Sequence, residues 1–244
     1  MTDNIYETDK LVSEYLLFHY GKDDQILSWE AGPSSALGFP RRIVERFSDS
    51  QVERALDLGC AVGRSSYELS RNAEEVVGID FSHAFVAAAA QMGESRGAVV
   101  SRLEEASTAS RIEVALPDEV LPERVSFEQG DAMDLRADLG QFDRVLAANL
   151  LCRLPEPDRC LSRLPDLVRP GGELILTTPC TWLEEFTPAG NWPEGTTLDW
   201  LKEQFSGDFE LLEEKNEPFL IRETARKFQW TVAMLTRWKR VLYK

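Results

Sequence analysis

Four short segments carry the residues with which this chain could do chemistry. They are Asp57-Leu58-Gly59-Cys60-Ala61-Val62-Gly63, Val77-Gly78-Ile79-Asp80, Gln129-Gly130-Asp131-Ala132-Met133 and Ala147-Ala148-Asn149, each at the end of a short apolar run. In the first, Gly59 permits a tight turn, and Gly63 is expected to leave room for a ligand against the main chain. A dinucleotide loop needs the pattern G-x-G-x-x-G. Here Ala61 replaces the middle glycine and Arg64 the third, and the leading carboxylate of Asp57 would repel a pyrophosphate. The same carboxylate attracts an ammonium group. Asp80 ends the next run, where a carboxylate accepts both hydroxyls of a ribose. Its alternative role is a helix N-cap, which Ser82 can equally fill. Asp131 can accept the amino group of an adenine walled by Ala132 and Met133. Asn149 belongs where ligands react, at the carboxyl ends of parallel strands.

These positions make sense only if strands and helices alternate. Strands are expected at 54–58, 75–80, 124–128, 142–147 and 173–178, with helices at 64–72, 84–92, 158–168 and 198–205 between or after them. That rhythm means βαβ units on a parallel sheet. Pro170-Gly171-Gly172 reads as the stop of the third of these helices. Two tail segments, 209–215 and 227–238, read as an antiparallel pair finishing the sheet. Ahead of the first strand, 7–20 is a helix with Leu11, Tyr15 and Phe18 on one face and Gly21 as its stop, and 39–47 is a second short helix. Residues 98–116 break the alternation and read as an inserted hairpin. The expected architecture is therefore α/β and Rossmann-like: one domain over 1–244, a mostly parallel seven-stranded sheet with an antiparallel C-terminal strand, a helical cap over 1–50 and the hairpin.

Composition narrows the partners. The net charge of -15 opposes nucleic acid. The single basic stretch, Arg222 to Arg240, reads as a strand with a solvated outer face. Met1-Thr2-Asp3-Asn4-Ile5-Tyr6-Glu7 lacks the charged and apolar regions of a signal peptide, and no apolar run reaches the roughly 20 residues of a membrane span. Cys60, Cys152, Cys160 and Cys180 lack CxxC spacing, and His19 and His83 are the two histidines, so no metal site is expected. Reduced thiols suit a cytoplasmic protein.

Taken together, Leu56-Asp57-Leu58-Gly59-Cys60-Ala61-Val62-Gly63, Val77-Gly78-Ile79-Asp80, Gln129-Gly130-Asp131-Ala132 and Leu167-Val168-Arg169-Pro170-Gly171-Gly172-Glu173-Leu174 resemble the class I S-adenosylmethionine-dependent methyltransferases. A narrower resemblance spans nearly the whole chain. Residues 15–21 (Tyr-Leu-Leu-Phe-His-Tyr-Gly), 55–66, 78–85, 146–154 and 226–230 (Arg-Lys-Phe-Gln-Trp) are similar to the methyltransferases of ovothiol biosynthesis. The resemblance implies S-adenosylmethionine as cofactor, without a metal, and methylation of an imidazole nitrogen of 5-thiohistidine (4-mercaptohistidine). In many organisms that activity is the C-terminal part of a fused synthase. This sequence lacks the iron-dependent sulfoxide synthase half, so functional pairing with a separate one is expected.

The cofactor site then comprises Asp57, Gly59, Cys60, Ala61, Gly63, Arg64, Asp80, Phe81, Gly130, Asp131, Ala132 and Asn149. For the acceptor, Asn149 is expected to accept a hydrogen bond from the imidazole. Tyr15, His19 and Tyr20 lie on a helix expected to fold over the cofactor as a lid. His19 is a general-base candidate, although a histidine on an aromatic helix face also reads as packing. Trp182 is either acceptor wall or core. Arg226 is a candidate partner for the substrate carboxylate among Arg41, Arg42, Arg222 and Lys227. Acceptor pockets vary on a constant cofactor half, so a different imidazole, amine or carboxylate acceptor stays open, as does a non-catalytic binding module.

Overall fold

The computed structural model describes residues 5–242. Met1 to Asn4, part of the segment read for a leader, lie outside the described residues. Seven strands form one sheet: β1 (Val52–Leu58), β2 (Ala73–Asp80), β5 (Val125–Gln129), β6 (Phe142–Ala148), β7 (Val168–Thr178), β8 (Phe209–Arg222) and β9 (Phe228–Arg240). Their order is β5-β2-β1-β6-β7-β9-β8. β9 runs antiparallel to both of its neighbours, and the other pairings are parallel. Strand order reverses between β1 and β6, which opens a crevice beside the turns that follow them. The central strands are near-continuous aliphatic runs, as a sheet covered on both faces requires. Leu56, Leu58, Val145, Leu174 and Leu176 bury one face under α6 (Pro157–Leu167) and α7 (Thr197–Gln204). Ala55, Leu146 and Ile175 bury the other under α3 (Phe39–Val44) and α4 (Arg64–Leu69).

The expected hairpin is present as a separate ribbon, β3 (Gly97–Glu105) and β4 (Thr108–Ala115), between α5 (His83–Ser95) and β5. The last strand pair is longer than its sequence suggests. β8 continues past Lys215 through Pro218, because it is the edge of the sheet, where a proline costs no ladder bond. β7 ends opposite Met234, whereas β8 and β9 stay paired out to Arg222 and Phe228. The tip therefore overhangs the carboxyl edge by about 20 Å at roughly 3.4 Å per residue.

α1 (Asp9–Tyr20) is held between this overhang and the β3–β4 ribbon. Being gripped from several sides, it buries Leu16, Leu17, Phe18 and Tyr20 rather than a single stripe through Leu11 and Tyr15. Thr8 caps its start and Gly21 ends it. Other helices are shorter than expected: α3 ends at Val44 and α4 at Leu69. α6 ends at Leu167, before Pro170-Gly171-Gly172, which fall inside β7. No helix among the described residues is long and apolar enough to cross a membrane.

The basic tail is not a solvated face along its whole length. Arg222 and Arg240 are each only 4% exposed and pair with Glu104 at 3.2 Å and Asp208 at 2.9 Å. Arg222 joins three elements: its guanidinium also donates to the carbonyls of Gln25 (3.1 Å) and Thr224 (3.1 Å). Arg102 of β3 donates to the same Gln25 carbonyl at 2.9 Å. Replacing Arg222 by Ala strands these acceptors in a dry junction, at a cost of roughly 2–4 kcal/mol. Thermal unfolding of Arg222→Ala is expected to show a midpoint roughly 5–10 °C lower. An unchanged midpoint would remove the arginine as the tie between cap, ribbon and overhang.

Candidate active site

The turn after β1 is shaped by its neighbour strand. The amides of Gly59 (2.8 Å) and Cys60 (3.1 Å) both donate to the Ile79 carbonyl, which carries the chain around the end of β2. Gly59, Ala61 and Gly63 all take left-handed backbone angles, with φ of 71°, 47° and 84°. The Asp80 carboxylate fixes the middle of the turn, accepting the Ala61 amide through one oxygen and the Ser82 amide through the other, each at 2.9 Å. Ser82 takes the N-cap of α5, its hydroxyl accepting the Phe85 amide at 3.1 Å. Gly63 is required for packing rather than for ligand room: a Cβ there would lie 2.6 Å from the Phe127 ring and 2.9 Å from Ala89.

Several expected cofactor contacts point elsewhere. Asp57 is 1% exposed and accepts the Ser66 hydroxyl at 2.6 Å, so it anchors α4 from beneath the turn rather than facing a ligand. Arg64 is fully engaged. It pairs with Glu68 at 2.8 Å, donates to the His19 carbonyl at 2.9 Å and lies 5.6 Å above the Tyr20 ring. The Tyr20 hydroxyl donates to the Val62 carbonyl at 2.7 Å, which makes it a brace for the turn rather than an acceptor contact. The Cys60 thiol is buried, and burial pushes its pKa well up, so only its backbone faces the turn. His19 is held as a neutral, buried imidazole. Burial, reinforced by the Arg64 charge, pushes its pKa down to about 3, and its Nδ1 is buried without a partner among the described residues.

Groups left open converge on the carboxyl edge. Each Asp80 oxygen retains a lone pair after taking its backbone amide. Phe81 beside it is 58% exposed, a flat apolar surface at the position of a stacked base. Asp131 uses Oδ1 to hold the Met133 amide at 2.8 Å, an interaction that leaves Oδ2 able to accept another donor. The Gly130 amide donates to the Asp80 carbonyl, and Ala132 is buried behind. Asn149 ends β6 with φ of 53°. Thr177 Oγ accepts the Asn149 backbone amide and donates to its side-chain oxygen, both at 3.0 Å. Thr177 thus takes one lone pair of the Asn149 oxygen, and the side-chain NH2 is left as a donor.

The N-terminal cap covers this edge. The Glu7 carboxylate accepts the His83 (2.9 Å) and Ala84 (3.0 Å) amides at the start of α5, and Ser82 Oγ donates to the Tyr6 carbonyl at 2.9 Å. That latch sets Tyr6 and Tyr15 edge to face, 6.2 Å apart, with both rings against Phe85. Burial raises the pKa of both phenols. Trp182 belongs to the core side, its indole donating to Thr197 at 3.1 Å and its ring edge-on to Trp200. Arg226 is exposed on the far tip of the overhang, 5.4 Å above Trp29, where it lines a surface cavity of about 410 Å³ with Phe228 and Trp230. Tyr6, Glu7, Ser66 and Thr177 escaped the sequence reading. Only Ser66, in the first turn of a helix that follows a buried aspartate, carried a local signal.

Burial raises the Asp57 carboxyl from 3.8 to about 7, with the Ser66 hydroxyl opposing that rise. The unfolded chain loses this proton near the ordinary value, whereas the folded chain keeps it to about 7. The contribution to stability is therefore full below the ordinary value and is lost as pH rises through 7. Asp57→Asn keeps an acceptor for Ser66 and removes the ionisation. The ligand-free variant is expected to gain on the order of 2–4 kcal/mol relative to wild type between pH 5 and pH 8, followed by thermal unfolding across pH. A difference that stays constant with pH would show that Asp57 ionises normally in the fold.

Comparison with known proteins agrees with this geometry. The sequence pattern of a family described as "Methyltransferase domain" matches residues 118–243, and a second of the same description matches residues 56–176. The chain is 28% identical over 161 residues to the methyltransferase GfsG of Streptomyces halstedii, covering 65% of this chain and 49% of that protein. It is 28% identical over 137 residues to the phosphatidylethanolamine N-methyltransferase of Cereibacter sphaeroides, 56% of each. The chain thus spans about half the length of these curated relatives. The N-methyltransferase NodS of Bradyrhizobium japonicum, solved with S-adenosylhomocysteine, shares the fold with a TM-score of 0.56, 14% identity and coverage of 94% and 98%. The residues at the edge fit such a ligand, with Asp80 open to a ribose, Phe81 to a base and Asp131 to an amino group. By strand order, by the turns at its carboxyl edge and by sequence, the chain belongs to the class I S-adenosylmethionine-dependent methyltransferases.

Proposed function

We propose that this protein is a cytoplasmic enzyme that methylates an imidazole nitrogen of 5-thiohistidine, forming ovothiol. The acceptor rests on the sequence resemblance carried by residues 15–21, 55–66 and 226–230. The observation that most favours it is the fixed amide of Asn149. S-adenosylmethionine, when bound, supplies a methyl already activated on a sulfonium sulfur, so the chain must align a nucleophile and exclude water. Asp80, Phe81 and Asp131 would hold the nucleoside, and the turn at 59–63 would run beside the amino-acid end.

A neutral imidazole nitrogen brings its own lone pair, so the attack needs no side-chain base. This agrees with a His19 that burial keeps neutral and a Tyr15 whose pKa burial raises. The competing nucleophile is the substrate sulfur. Thr177 locks the Asn149 oxygen, which leaves the NH2 to donate to a thiolate and hold the sulfur off the methyl axis. Glu7 and Ser82 pin the cap over the edge and keep water out. The substrate itself would come from a sulfoxide synthase. A second reading, a different imidazole or an amine as acceptor, is favoured by the similarity to a phosphatidylethanolamine N-methyltransferase.

Incubation with S-adenosylmethionine and either 5-thiohistidine or histidine, followed by mass spectrometry, tests both readings. N-methyl product is expected from 5-thiohistidine, and Asp80→Ala is expected to lower kcat/KM for the cofactor by about 100-fold, the loss of two charge-assisted hydrogen bonds. Tight cofactor binding with neither imidazole methylated would sink the ovothiol assignment.

A further inference from the structure

We propose that Arg153 is the anion subsite for the methyl acceptor, and that the acceptor carries a carboxylate next to a flat ring. The inference rests on the methyl-transfer reading of this same edge. Arg153 closes the short 3-10 turn Leu151–Arg153, which follows β6 directly after Asn149. Its guanidinium lies 4.3 Å above the Phe186 ring, on the loop that leaves β7, and its other side reaches the Tyr6 hydroxyl of the cap. Arg153 thus sits where the turns after β6 and β7 meet the lid.

The guanidinium is half-buried, and its Nη1 is buried without a hydrogen-bond partner among the described residues. No carboxylate among the described residues pairs with it. Arg46, Arg71, Arg144 and Arg237 also bury an unpartnered Nε, but Arg46, Arg71 and Arg237 face carboxylates, whereas Arg153 has, among the described residues, only the Tyr6 hydroxyl beside it. Arg42, Arg64, Arg222 and Arg240 each face a carboxylate, and Arg144 donates to three oxygens of Ser48 and Ser50. In a chain with 42 acidic and 27 basic residues, a partner for one more arginine was easy to supply. An unpaired buried N–H on a charged group is costly unless a ligand completes it. Phe186 and Tyr6 fix the guanidinium plane without neutralising it. A guanidinium held in that way has Nη1 left to donate to a carboxylate, and the adjacent aromatic side chains suit a ring beside that carboxylate. Arg226, exposed at the tip of the overhang, has neither property.

The cofactor's own carboxylate is the competing source of the same chemistry, and binding measurements separate the two. Calorimetry on protein saturated with S-adenosylhomocysteine would compare 5-thiohistidine with 5-thiohistamine, and histidine with histamine. Wild type is expected to bind each carboxylate-bearing member at least tenfold tighter than its decarboxylated partner. Arg153→Gln is expected to bring that ratio within twofold, and Arg153→Lys to retain part of it, while affinity for S-adenosylhomocysteine stays within twofold in both. Thermal midpoints close to wild type would show that the variants fold, and the lysine variant keeps the test informative if the glutamine one does not. The proposal is overturned if the ratio survives in Arg153→Gln, or if none of the four compounds binds. It is also overturned if the variant loses S-adenosylhomocysteine tenfold while holding 5′-methylthioadenosine, which lacks the carboxylate. Should 5-thiohistidine escape methylation while the variant still erases the histidine preference, the ovothiol reading falls and the subsite stands.

Discussion

One carboxylate holds the working edge of this molecule in shape. Asp80 takes the amide of Ala61 from the turn after β1 and the amide of Ser82 from the start of α5, so two turns from different βα units share one anion. Ala61 would not stay at a φ of 47° without such a partner, because a side chain there costs energy in the left-handed region. Ser82 in turn caps α5 and hands its hydroxyl hydrogen to the Tyr6 carbonyl, so the lid is built on the same anion. Burial raises the pKa of Asp80, and the backbone amides oppose that rise. A ligand hydroxyl donating to the remaining lone pairs would act in the direction of those amides.

The parts of this arrangement that depend on local pattern were legible in the sequence. Aliphatic runs ending in glycine, aspartate or asparagine mark β1, β2 and β6, and the departure from G-x-G-x-x-G at Ala61 and Arg64 argued against a dinucleotide loop. The inserted ribbon showed itself by breaking the helix-strand rhythm. What escaped is what long-range contacts decide. Nothing near Arg64 says that the His19 carbonyl will share its guanidinium with Glu68, and nothing near Tyr20 names the Val62 carbonyl. Gly63 reads as ligand room until Phe127, 64 residues later, is found against it. From its sequence β8 is expected to stop at Lys215, and it continues through Pro218 because the topology makes it an edge.

The molecule also divides into the sheet with its turns and a set of additions around them. Turns at 59–63, 80–82 and 130–133 belong to the sheet and its first three βα units. The additions are the 5–26 cap, the β3–β4 ribbon and the overhanging β8–β9 tip, joined through Arg222, Arg102 and Glu104. The same sheet serves many reactions in proteins at large, so these additions are where one such protein would differ from another. Several of the least exposed arginines face a carboxylate, so ion pairs recur in the ties between these parts.

Hydrogen-deuterium exchange with and without S-adenosylhomocysteine tests the central claim most directly, because it reads each turn of the carboxyl edge separately. The ligand is expected to slow exchange at 59–63, 80–84 and 130–133 and in the cap at 6–20, with little change in the amino-terminal ends of the strands or in the 226–230 tip. Protection absent from the turns at 59–63 and 80–84, or confined to the cavity beside Arg226 and Trp29, would contradict the account.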